Sequence, residues 1–160
     1  MKQTLTICQL KQMLVEQEKI KQVKLLKFGL LTTDEEVKEH NNESLSGYLL
    51  YPTTIEFIET TDKLEGVVGL KFGIEYSIEG YTDEKFVDVT FTCKISHPLL
   101  TNPNTGDSST VTVETKNSYL NENNFDYFCF EYDWEIKKGA WTFQILENEV
   151  IKLEKTFEIL

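Results

Sequence analysis

A mostly-β fold, an antiparallel sandwich of about eight strands with one short N-terminal helix, follows from three features of the sequence. Apolar and polar residues alternate along segment after segment, as in Val68-x-Leu70-x-Phe72-x-Ile74-x-Tyr76-x-Ile78 and Trp141-x-Phe143-x-Ile145. Such period-two alternation marks strands that turn one face to a core and the other to water. Short polar breaks separate these segments at hairpin spacing. No helical pattern alternates with the strands, so βαβ units and a parallel sheet are excluded.

The elements follow in order. Thr6 and Gln9 have the spacing of a capping box, and Ile7, Leu10 and Leu14, with Met13 beside them, repeat at helical intervals, so residues 6–21 are expected to be helical. Residues 1–22 form a helical extension in this reading, and residues 23–160 the sandwich domain. Val23 to Leu31, dense in Leu and Phe, is the first strand. Residues 32–47 carry acids and no apolar period, and read as a long loop. Residues 49–59 form a second strand region broken near Pro52, which suits a sheet edge. Residues 67–79 and 86–96 are cleanly alternating strands, the latter with Cys93 on its apolar face. Residues 97–107, with two prolines and Gly106, read as a loop. Residues 109–115 form a short strand with Val111 and Val113 inward, and 117–124 a polar connection. Three strands close the chain: Phe128-x-Phe130-x-Tyr132-x-Trp134, then 140–145, then Ile151 to Ile159.

Composition bounds the function. The 160 residues are one domain's worth and can bury a core without staples. They hold 27 acidic and 16 basic residues, a formal net charge of -11, and every basic residue is lysine. Without arginine the chain lacks the planar fork that reads phosphate in pairs of hydrogen bonds, so nucleic acid is not an expected partner. Residues 1–27 hold six lysines and two glutamates, which concentrates the acidity in the body of the domain. A cationic protein is the partner such a body would attract. Neither a signal-like apolar run nor a membrane-length one is present, and the expectation is a cytoplasmic protein.

The closing segment also carries a resemblance. Asp133-Trp134-Glu135, then Gly139-x-Trp141-Thr142-Phe143, then Lys155-x-Phe157-x-Ile159 resembles the ending of a small bacterial family known only as a domain of unknown function. Lys27-Phe28-Gly29, Phe72-Gly73-Ile74 and His97-Pro98 fit the same picture, over residues 24–160. The resemblance implies an immunoglobulin-like β-sandwich and no activity.

Candidate chemistry is sparse. His40 and His97 fall in separate expected loops, and both are read as solvated; neither they nor the three cysteines have metal-ligand or C-x-x-C spacing, so no metal or cofactor is expected. Cys93 and His97 are the one Cys/His pair close in sequence, but about 13 Å of strand separates them. Glu131, Asp133 and Glu135 share strand parity and are expected to face water. Phe128, Phe130, Tyr132 and Trp134 are expected mainly in the core, and Tyr48, Tyr51, Tyr81, Tyr119 and Tyr127 at strand ends or on outer faces, where tyrosines can rim a binding patch. The expected function is a non-enzymatic protein-binding module, of an acidic inhibitor or immunity type. The alternative is a carrier of a small apolar ligand, and an enzyme ranks last.

Overall fold

The computed structural model describes residues 4–10 and 18–160. Two sheets face each other. In spatial order the first is β4 (Ile55–Glu59), β1 (Ile20–Thr33), β6 (Lys71–Gly80) and β9 (Asn123–Cys129). The second is β5 (Lys63–Leu64), β11 (Val150–Ile159), β10 (Gly139–Glu147), β7 (Asp88–Thr101) and β8 (Ser108–Tyr119). A third, two-stranded sheet pairs β2 (Glu36–His40) with β3 (Tyr48–Pro52). Every ladder is antiparallel except the two-residue contact of β5 with β11.

The alternating residues fill the space between the sheets. Phe72, fully buried on β6, has its ring centroid 5.3 to 5.9 Å from Phe130, Trp141, Phe143 and Phe157. Several of these contacts are edge-on, the geometry that suits the ring quadrupole. Ile74, Tyr76 and Ile78 continue the same inner face on β6, and Phe91, Cys93 and Ile95 answer from β7. Gly73 lets β9 lie close against β6: a Cβ there would fall 2.1 Å from the Asp126 carbonyl oxygen.

Several expectations are corrected. Eleven strands, not about eight, are present among the described residues, because β2 and β5 fall outside the expected strands and the expected strand 49–59 is two. Residues 7–10 are helical and Gln9 accepts the Thr6 amide, but Ile20 and Lys21 already belong to β1. Glu147 accepts the Lys19 and Ile20 amides, and Ile20 is wholly buried. Met13 and Leu14 lie outside the described residues. The expected loop 32–47 contains β2, whose pairing with β3 is a tertiary choice. The region 49–59 is two strands in different sheets, and Val67 and Val68 are exposed turn residues ahead of β6. β7 runs on through His97 to Thr101, with Pro98 inside the register break between Ser96 and Leu100, where the missing N–H breaks no ladder bond.

Candidate functional site

β8 inverts the expected polarity. Its register with β7 places Glu114 opposite Cys93, Thr112 opposite Ile95 and Lys116 opposite Phe91. Opposed residues of an antiparallel pair share a face, so Thr112, Glu114 and Lys116 look inward and Val111 and Val113 look outward. β8 and β9 are the edge strands of the two sheets on the same side of the sandwich. The inward polar residues of β8 therefore meet the open edge of the sandwich instead of its packed middle.

The hairpin β2–β3, with the turn between its strands, roofs that edge. Tyr51 donates to Glu114 Oε1 at 2.8 Å, and Tyr48 donates to Glu131 Oε2 at 2.9 Å with its oxygen 2.8 Å from that of Tyr132. Glu36 binds the Lys71 ammonium and accepts from the Tyr127 hydroxyl, and Asn102 donates to the Leu45 carbonyl at 2.8 Å. Under the roof lies a cleft of about 270 Å³. Leu45, Leu50, Ile95, Leu100, Phe128 and Trp134 supply apolar lining, and Glu114, Lys116, Asp126, Glu131 and Glu135 supply the charges.

The inner wall is a buried network. Asp126, 6 % exposed, accepts from the Tyr76 hydroxyl at 2.5 Å and from Lys116 Nζ at 3.0 Å, while Lys116 also donates to the Phe125 carbonyl at 2.8 Å. Burial disfavours the Lys116 ammonium, but Asp126 and Glu114 outweigh it and hold its pKa above the usual lysine value. Burial raises the Glu114 carboxyl, an effect that Lys116 and the Tyr51 hydroxyl oppose. Cys93 is a buried thiol, its pKa pushed well up by burial and then by Asp126.

Glu135 is the largest departure from expectation. β9 ends at Cys129, so strand parity lapses, and a 3₁₀ turn over Asp133–Glu135 swings Glu135 inward to 5 % exposure. Its Oε1 accepts the amides of Glu131 at 2.9 Å and Tyr132 at 3.0 Å. Burial nevertheless pushes its carboxyl up to about 7. Asp133 stays exposed, whereas Glu131 is half-buried. Tyr132 and Trp134 leave the core stripe and stack on one another with centroids 5.6 Å apart. Phe130 alone of the four expected aromatics is fully buried.

His97 is likewise no loop residue. It is 6 % exposed, its ring centroid lies 4.9 Å from that of Trp141, and burial lowers its pKa. Its Nδ1 lies 2.8 Å from the Pro98 carbonyl oxygen and its Nε2 3.2 Å from Thr112 Oγ1, so both nitrogens are engaged. His40 is exposed beside Asn42. Among the described residues no group of three His, Cys, Asp or Glu is placed to hold a metal ion, and no helix is long and apolar enough to cross a membrane.

Residues 19–159 match the model of a domain of unknown function, DUF3859. The chain belongs to that family. An immunoglobulin-like protein from Pseudomonas aeruginosa, solved by crystallography, is similar with a TM-score of 0.59 at 17% identity, over 86% of this chain and 96% of that one. No curated protein matches. At that identity the likeness speaks for the fold alone: this DUF3859 chain is an immunoglobulin-like β-sandwich. Its cleft was missed in the sequence because it is lined from six separate stretches. The one local signal was the row Thr112, Glu114, Lys116, alternating as regularly as the valines beside it.

Proposed function

We propose that this protein is a non-enzymatic binding module that holds a small, largely apolar ligand in the cleft beneath β2–β3. The observation that supports it is a cleft of about 270 Å³ at the edge of a sandwich whose middle is packed solid. Recognition sites commonly combine apolar walls with a few fixed polar groups. A covalent role for the cysteines fits poorly. The Cys93 and Cys129 thiols are both pushed up by burial, Cys129 to about 12, and nucleophilic chemistry needs the thiolate. Ligand-observed NMR with a library of apolar fragments of each charge tests the proposal. Binding to the wild type that Leu50→Trp removes is expected; silence from every fragment would overturn it.

A second reading, attachment to a cationic protein, is favoured by Phe86. This residue has φ +60° and is 77 % exposed, edge-on to Tyr119 at 5.8 Å. A bulky residue held left-handed in water is strained and points to a use for its side chain. Asp83, Glu84, Asp88 and Glu122 lie in the same or adjoining segments. An inhibitor or immunity role, in the cytoplasm of a bacterium, belongs to this reading. Capture of one specific partner that Phe86→Gly abolishes is the expected result, and capture indifferent to that substitution counts against it.

A further inference from the structure

The cleft has a chemical preference of its own, and the inference rests on the ligand-binding reading above. Four carboxyl groups line it, those of Glu114, Asp126, Glu131 and Glu135, against the single ammonium of Lys116. Lys116 is already committed to Asp126 and the Phe125 carbonyl. Asp126 is in turn satisfied by Lys116 and Tyr76. Glu131 accepts from Tyr48.

Glu135 and Glu114 differ from these. Both hydrogen bonds to Glu135 end on Oε1, so Oε2 of this 5 % exposed side chain has no hydrogen-bond partner among the described residues. The hydrogen bond to Glu114 from Tyr51 likewise ends on Oε1. Two carboxylate oxygens thus remain as acceptors at a cleft of mixed apolar and polar lining. Neither oxygen is sealed from solvent, and a charged donor in the cleft suits a carboxylate best. Trp134 and Phe128 in the same lining suit an aromatic body.

We propose that the ligand is an organic ammonium: an apolar, preferably aromatic body carrying one protonated amine that pairs with Glu135. Size limits the body. A dry cavity of about 150 Å³ holds a benzene ring, so a volume of about 270 Å³ admits a fused bicycle with a short amine arm. An anionic ligand would face the negative lining with Lys116 already paired, and a neutral one would leave Glu135 Oε2 without a charged donor.

Three probes of one shape separate the alternatives: tryptamine, tryptophol and indole-3-acetate, titrated into the full chain by calorimetry near neutral pH. Tryptamine is expected to bind at least about tenfold more tightly than tryptophol, a difference of about 1.4 kcal/mol, with indole-3-acetate weakest. Glu135→Gln should cut tryptamine affinity about tenfold and leave tryptophol within about twofold; an unchanged tryptamine affinity overturns the pairing. Circular dichroism identifies a variant that has failed to fold, and the ranking of the three probes on the wild type then carries the test. Equal or tighter binding of tryptophol or indole-3-acetate overturns the ammonium preference while leaving the cleft a binding site. Silence from all three overturns the preference, and the fragment screen then decides whether the cleft binds anything.

Discussion

Replacing Glu135 with glutamine should make the protein less sensitive to pH, and the size of the effect follows from where the side chain sits. Its carboxyl is pushed from 4.5 up to about 7, chiefly by burial, against the two amides that favour the charged form. The folded state therefore binds this proton more tightly than the unfolded chain does. Below about pH 4.5 the group is protonated in both states and its favourable contribution is whole; as pH rises through about 7 the fold must carry a buried carboxylate and that contribution is lost. Each pH unit between the two values is worth about 1.4 kcal/mol, so about 3 kcal/mol is at stake. The glutamine carbonyl can accept the same two amides without titrating. Urea denaturation of both proteins, followed by tryptophan fluorescence from about pH 4.5 to about pH 8, should show the variant gaining about 3 kcal/mol on the wild type across the range. Differencing cancels His97, whose burial lowers its pKa and gives a slope of opposite sign. A gap that stays constant with pH would show that Glu135 is hydrated in solution, and the reasoning would fail.

Three further outcomes are expected. Lys116→Met should cost about 3–5 kcal/mol in urea denaturation because it strands Asp126, and adding Asp126→Asn should recover much of it; no recovery would mean that the pair is not coupled. Gly73→Ala should destabilise by at least about 1–3 kcal/mol and loosen β9, since the new methyl meets the Asp126 carbonyl oxygen at 2.1 Å; slowed hydrogen exchange in β9 would contradict this. Of the three cysteines, Cys8 alone is exposed, so one thiol should react rapidly with a disulfide reagent in the native protein and all three in denaturant. A second fast thiol would show that the cleft opens as far as Cys93 or that Cys129 is unprotected.

Much of the sandwich was legible because its central strands are amphipathic by themselves. Phe72, Ile74, Tyr76 and Ile78 can bury together only if Lys71, Glu75 and Ser77 face away, and that choice needs no knowledge of the partner strand. The same rule failed at the margins. On β8 two rows compete, valines against Thr112, Glu114 and Lys116, and hydrophobicity chooses the wrong one. After Cys129 the rule counts past the end of a strand and sends Glu135 to water, where the 3₁₀ turn instead brings it inside.

Composition and periodicity by themselves determined a mostly antiparallel β fold with an acidic body, a sandwich preferred over a small barrel, because each central strand states its own inside and outside. Its closing strands were also enough to suggest the family. Only the tertiary structure decided that β8 and β9 end both sheets on one side, that β2–β3 closes over the gap, and that Glu114, Lys116, Asp126 and Glu135 converge there. The reason is physical. Burial of an apolar residue is a property of one strand's periodicity, whereas a buried charge is tolerated only where distant partners arrive to meet it, and those partners are set by topology.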